Sequence, residues 1–224
     1  MFWDQTMLWL IPVMLFAMWA QSRVKSTYRK YLDVPGSQGL SGREAARRLL
    51  DAAGLSAVQI ESVAGELTDH YDPRVKVLRL SASNFDGRSV AALGVACHEA
   101  GHAIQHGAGY APLQMRQAIW PVTSFGSNLA MPLFLIGFLF QFPLLMDLGI
   151  VFYAVAAVFA LVTLPVEFDA SRRAVELLTR HGIVTREERG HVSTVLNAAA
   201  LTYVAGALMA VVQLVRLIVL RGRR

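Results

Sequence analysis

The stretch FLFQFPLLMDLG, Phe138–Gly149, lies in the middle of a long apolar segment and decides how the chain is read. From Ile119 to Pro165 only one residue, Asp147, is charged. A single membrane-spanning helix needs roughly 20 apolar residues, so this run is too long for one crossing. Gln141, Phe142 and Pro143, with Asp147 behind them, supply the turn. Residues 119–166 therefore read as a helical hairpin with spans near 121–141 and 145–165. A hairpin crosses twice, so the chain before it and the chain after it emerge on the same side of the bilayer.

The composition agrees with a membrane protein. Of 224 residues, 54% are hydrophobic and only 17% charged, too apolar for an ordinary soluble domain. The net charge of +5 does not indicate nucleic acid. Its basic residues flank apolar segments (Arg23, Lys25, Arg29 and Lys30; Arg221, Arg223 and Arg224), and no aromatic-plus-basic recognition motif accompanies them. Residues 7–20, MLWLIPVMLFAMWA, extended through Phe2 and Trp3, form an N-terminal anchor over residues 1–21. Basic residues follow this apolar run rather than precede it, which reads as an uncleaved anchor with its N-terminus outside. Arg172, Arg173, Arg180, Arg186 and Arg189 follow the hairpin and put that side in the cytoplasm. The last segment, residues 198–224, is apolar but contains Gln213 and Arg216; it either spans or packs against the other helices. If it spans, the terminal RGRR lies outside, against the same charge rule. The one cysteine, Cys97, excludes an intrachain disulfide.

Residues 22–118, between anchor and hairpin, are more polar. SGREAARRLLDAAG offers Ser41 as an N-cap, Glu44 three residues later as its capping-box partner, and Gly54 as the stop. Strands are expected over 57–63 (AVQIESV) and 75–81 (VKVLRLS), joined by the turn-rich link AGELTDHYDPR. Ser89 caps the next helix, near 90–106.

That helix carries VACHEAGHAIQHG, residues 95–107. On a helix, residues four apart share one face, so His98 and His102 can present ring nitrogens to one tetrahedral zinc ion. Glu99 stands beside the first ligand, where it reaches a zinc-activated water as a general base. Gly101, between the histidines, keeps that face thin for a neighbouring element. His106 continues the spacing but lies about 12 Å along the axis from His98, beyond a shared ion, and reads as a polar helix-end residue.

A catalytic zinc usually takes three protein ligands. Glu167, in the 167–197 helical segment, stands at the mouth of the hairpin on the side the motif shares. A carboxylate so close to an apolar run is costly unless paired or ligated. The alternative makes Glu167 and Asp169 first-turn acids of a helix opened by Pro165. Asp169 is a candidate partner for the outer nitrogen of His98 or His102, or for Arg172 or Arg173.

Four motifs in order, GELTDHYDPRVKVLRLS, SVAALGVACHEAGHAIQH, LPVEFDASRRA and LNAAALTYVAGAL, resemble the bacterial membrane-embedded neutral zinc metallopeptidases over nearly the whole chain. The resemblance implies a gluzincin-type zinc peptidase with one zinc ion per chain, ligands His98, His102 and Glu167, and Glu99 as base. It implies a mainly α-helical protein of the bacterial inner (plasma) membrane. About four transmembrane helices would accompany a small α+β zincin-like domain whose active site faces the cytoplasm. A peptidase implies protein or peptide substrates; the membrane tether, with the lipid bilayer as partner, points to membrane-associated ones, an inference from location. The chain also looks like a distant relative of membrane proteases acting on prenylated or damaged membrane proteins. It departs from that wider group at position 171, serine where an aspartate commonly stands. Gluzincins bind substrate as an added strand, and VKVLRLS is the candidate edge, with a plain core strand as the alternative. Tyr203, His70 and Tyr71 are candidate oxyanion donors, each with a structural alternative.

Two rivals stay open at this stage. In an intramembrane protease with its motif inside a span, Asp147 would be the third ligand. A non-catalytic assembly factor would hold zinc for structure alone, although structural sites are usually cysteine-rich closed shells.

Overall fold

The computed structural model describes residues 5–223. Residues 1–4 of the expected anchor, and Arg224 of the last apolar segment, lie outside the described residues. A short 3₁₀ turn (Gln5–Trp9) leads into α1 (Leu10–Leu32). There follow α2 (Gly42–Ala52), β1 (Gln59–Val63), β2 (His70–Asp72), β3 (Val77–Ser81), the short α3 (Ala82–Phe85) and α4 (Val90–Gly107). Three long helices complete the chain: α5 (Ala111–Phe140), α6 (Pro143–Arg180) and α7 (Arg186–Gly222). The chain divides into a unit of residues 1–21, 112–165 and 201–224, and a second unit of residues 22–111 and 166–200.

Four helices among the described residues, whose apolar stretches make up most of the first unit, are long and apolar enough to cross a membrane: Gln5–Leu32, Ala111–Phe140, Pro143–Arg180 and Arg186–Gly222. Their large side chains, such as Leu15, Met18, Phe125 and Leu144, are exposed, as a lipid-facing surface requires. The hairpin turn falls at Gln141. Its backbone is left-handed, with φ of 56°, and the Phe142 N–H closes on the Gly137 carbonyl at 2.9 Å. This is a Schellman-type stop, after which Pro143 opens α6 with a φ already suited to a helix. The polar residues of the last apolar segment find partners inside this unit. Arg216 Nε donates to Thr6 Oγ1 at 3.2 Å and its Nη1 to Gln213 Oε1 at 3.5 Å. Asp147 pairs with Arg221 at 2.8 Å.

The second unit is built on a three-stranded sheet ordered β1-β3-β2. The parallel β1–β3 register runs from Gln59 opposite Val77 to Val63 opposite Ser81. The antiparallel β2–β3 register runs from His70 opposite Arg79 to Asp72 opposite Val77. β2 lies within the link expected to be turn-rich, where no strand was expected. It is pinned by Asp69, whose carboxylate accepts from the Ser81 N–H at 2.8 Å and from Asn84 Nδ2 at 2.9 Å. The expected strand over 75–81 begins two residues late, because 73–76 form the β2–β3 turn with Lys76 at a φ of 54°. β3 is central and its Leu78 and Leu80 are fully buried, so VKVLRLS is a core strand with both edges paired and cannot accept an added one.

Helix α2 starts as its capping box dictates. Ser41 Oγ accepts the Glu44 N–H at 3.4 Å and Glu44 Oε2 accepts the Ser41 N–H at 2.8 Å. Around the sheet, Leu49, Leu50, Leu93, Leu178 and Ile183 form a core in which each side chain contributes about 1.5–3 kcal/mol by burial.

Helix α6 does not stop at Pro165. It continues to Arg180, where Gly182, with φ of 64°, ends it and lets the Ile183 N–H bond the Leu178 carbonyl at 2.9 Å. An internal proline costs a helix about 3 kcal/mol. Val166, Ala170, Ala174 and Leu178, one helical turn apart, are all fully buried and offset that cost. Residues 167–197 are thus the end of α6, a turn, and the start of α7. The latter opens with its own capping box, Glu188 Oε2 accepting the Thr185 N–H at 2.7 Å.

Candidate metal centre

The centre is assembled from α4 and α6 within the second unit. Ser89 Oγ caps α4 by accepting the Ala92 N–H at 3.2 Å. The buried side of α4 is made of small residues, Ala91, Ala92, Ala96, Cys97, Ala100 and Ala103, which lets neighbours approach closely. The closest approach falls at Gly101: a Cβ there would stand 2.8 Å from the carbonyl oxygen of Ala170 on α6. Contact of the two backbones at this level brings His98 and His102, on either side of Gly101, against Glu167, three residues before Ala170.

His98 Nε2 lies 3.2 Å from Glu167 Oε2, and His102 Nε2 lies 3.5 Å from the same oxygen. One ligand atom from each of the three residues can be chosen so that all lie within 4.8 Å of one another. Tetrahedral zinc with ligands at about 2.0–2.1 Å separates its ligand atoms by roughly 3.3 Å, so the observed spacing fits such a shell. The histidine side chains are 13% and 12% exposed, and that of Glu167 only 3%. Since Pro165 sits inside a continuous helix, Glu167 is not a first-turn acid, and the helix-dipole reading of this carboxylate falls away.

The outer nitrogens are also engaged. His98 Nδ1 stands 3.1 Å from Ser171 Oγ, and His102 Nδ1 stands 3.0 Å from Gln105 Oε1. Gln105 Nε2 donates to the Val166 carbonyl at 2.8 Å and to Asp169 Oδ2 at 2.9 Å. These two donations fix the amide orientation, leaving Oε1 as the acceptor that faces His102. His102 Nδ1 must then carry the proton, which leaves Nε2 of the neutral ring as a lone-pair donor aimed at a carboxylate oxygen. Two such acceptors at 3.5 Å call for a cation between them, a proton or a metal. Without metal, burial opposes charging of His102, but the Glu167 and Glu99 carboxylates outweigh it and raise its pKa above the ordinary imidazole value.

Glu99 is largely buried next to His98 in the chain. Asp169 touches neither His98 nor His102 in the hydrogen-bond pattern. It accepts from Gln105 and Arg172, and from Arg173 Nε at 2.5 Å. Gln105, which sequence reasoning passed over, and Ser171, noted there only as a departure from related proteases, carry the outer contacts instead. The signals were spacing alone: Gln105 three residues after His102, and Ser171 four after Glu167. His106 Nδ1 bonds the Tyr71 hydroxyl at 2.9 Å, so neither belongs to the three-residue group. His70 turns to the Thr68 carbonyl at 2.8 Å in an exposed position. Tyr203 lies on α7 in the other unit, 38% exposed. Burial pushes the Cys97 thiol up, away from the reactive thiolate. Asp147, the third ligand of the intramembrane alternative, is bound by Arg221 in the membrane unit.

No solved structure matches the chain significantly. It is 47% identical over 215 residues, 95% of this chain and 96% of the relative, to "Putative membrane protease YugP" of Bacillus subtilis (strain 168). A family profile described as "Putative neutral zinc metallopeptidase" spans residues 6–222, the anchor, the paired histidines, Glu167 and the last apolar helix together, and on that match the chain belongs to this family.

Proposed function

We propose that the chain is a membrane-bound zinc endopeptidase of the gluzincin type. The observation that carries this reading is the convergence of His98, His102 and Glu167 within 4.8 Å, with a His102 tautomer that leaves Nε2 as a metal donor. The donor set of two imidazoles and one carboxylate suits zinc and leaves a coordination position open. When bound, zinc supplies Lewis acidity and makes water a nucleophile near neutral pH. Glu99 takes the proton from the water that attacks the scissile carbonyl and returns it to the leaving nitrogen. Ser171 and Gln105 hold the two imidazole rings in place, and burial of Glu167 keeps competing water off its carboxylate.

Within this reading the substrate strand pairs with β2 rather than β3. β2 is paired on one side only among the described residues, and its Tyr71 is tied to His106 of the metal-bearing helix. Substrates are membrane proteins or their membrane-proximal segments, an inference from the four apolar helices. The active side faces the cytoplasm. Arg23, Lys25, Arg29 and Lys30, with Arg172, Arg173, Arg180, Arg186 and Arg189, all belong to the unit that holds the site.

The test is zinc content and cleavage of an unfolded casein-type substrate by detergent-purified wild type, Glu167→Ala and Glu99→Gln. Wild type should hold about one zinc and cleave, Glu167→Ala should lose metal, and Glu99→Gln should keep metal and lose cleavage. Full zinc and activity in Glu167→Ala would refute the ligand set. Equal behaviour of Glu99→Gln and wild type would make the protein a metal-stabilised scaffold.

A further inference from the structure

We infer that Gln105 is a positioning residue that sets two of the three metal ligands at once, an inference that rests on the metal reading above. Gln105 is fully buried, one turn beyond His102 on α4. A buried amide is costly unless each of its groups is paired. Its oxygen receives His102 Nδ1–H at 3.0 Å, while its nitrogen gives one hydrogen to the Val166 carbonyl at 2.8 Å and the other to Asp169 Oδ2 at 2.9 Å. Val166 and Asp169 bracket Glu167, immediately before it and two residues after it. One side chain therefore fixes the tautomer and ring plane of His102 and ties α6 to α4 on both sides of the carboxylate ligand.

The chemistry of glutamine is specific to this task. Glutamate offers the acceptor to His102 but no hydrogen for the Val166 carbonyl, and it adds a negative charge beside Asp169. Leucine fills a similar volume and makes none of the three bonds. The interposed amide also explains Asp169. Arg172 and Arg173 hold that carboxylate, and it reaches His102 only through Gln105, so its part is to orient the amide.

The experiment measures zinc affinity of the detergent-purified full chain by competition with a chelator, for wild type, Gln105→Leu and Gln105→Glu. It is paired with ¹⁵N–¹H spectra of the imidazoles in the metal-free proteins, recorded at a pH high enough for the His102 ring to be neutral. Loss of a contact that orients a metal-bound histidine typically costs 10–100-fold in affinity, and Gln105→Leu should weaken zinc by about that factor. Its His102 should also lose the Nδ1–H tautomer that wild type shows. Gln105→Glu should keep the tautomer, because a carboxylate oxygen still accepts, yet bind zinc more weakly through loss of both bonds to α6. A folded Gln105→Leu with wild-type affinity overturns the proposal, and wild-type affinity in Gln105→Glu overturns its α6 half. Should Gln105→Leu fail to fold, Gln105→Glu decides. If wild type shows no zinc binding that depends on Glu167, it is the metal reading that fails, and the metal-free spectra still judge the Gln105–His102 bond.

Discussion

Gly101 of α4 faces the carbonyl oxygen of Ala170 so closely that a Cβ at position 101 would lie 2.8 Å from it. The obstacle is backbone, not a flexible side chain, so α4 and α6 must separate to admit a methyl group. Gly101→Ala should therefore cost stability even though alanine favours the helix by about 1 kcal/mol. Overpacking of this kind costs about 1–3 kcal/mol and should dominate. The same separation widens the gap between the histidines and Glu167, so zinc affinity should fall along with the melting temperature. A variant with raised melting temperature and unchanged zinc affinity would show that the helices are not in contact here.

Protons should compete with zinc for this site. His102 in the metal-free protein is raised above the ordinary imidazole value of about 6.5, because the Glu167 and Glu99 carboxylates outweigh the effect of burial. A raised pKa means that the ring is still protonated at pH values where a free imidazole is neutral, and only the neutral ring binds metal. Zinc affinity should thus climb with pH through a point above that ordinary value and fall below it. Glu99→Gln removes one carboxylate that favours the charged ring, so its titration midpoint should shift to lower pH. Zinc binding followed across the neutral range in both proteins measures this.

Asp147 and Arg221 form a partly exposed pair in the membrane unit. Such exposed pairs contribute little to stability, because solvent screens them. Asp147→Asn should leave zinc content at the wild-type level and lower the melting temperature only slightly. Loss of zinc in this variant would revive Asp147 as a ligand.

The passage of α6 through Pro165 depends on the buried row Val166, Ala170, Ala174 and Leu178. Leu178→Ala removes the largest member and should cost about 2–5 kcal/mol, as large-to-small changes in well-packed cores do. Thermal or denaturant unfolding followed by circular dichroism checks the size. A change below about 1 kcal/mol would mean that this stripe is not what holds the helix.

Ser41→Ala removes the hydroxyl half of the α2 capping box, while its backbone N–H can still bond Glu44, and should destabilise by about 0.5–2 kcal/mol. Zinc affinity at saturating folded fraction should stay as in wild type, since α2 carries none of the ligands. An equal stability of the two proteins would show the cap to be redundant.

Local pattern was enough for much of this. The hairpin is legible in FLFQFPLLMDLG because a bilayer limits helix length, and the capped starts of α2 and α4 are legible because orphan N–H groups need nearby oxygens. The convergence of His98 and His102 is legible because a helix puts every fourth residue on one face, and the parity of two crossings points to Glu167. What sequence spacing could not decide was every feature set by a distant neighbour. Pro165 breaks helices locally, and only burial of residues 166–178 against the core carries α6 past it. VKVLRLS reads equally as an edge or a centre, and only the pairing of β2, three residues long and pinned by Asp69, makes it central. Gln105 and Ser171 are unremarkable polar residues until two helices meet at Gly101 and Ala170. Their role exists only in that contact, because Ser171 meets His98, and Gln105 is aimed at its neighbour His102 by Val166 and Asp169, across more than 60 residues of chain.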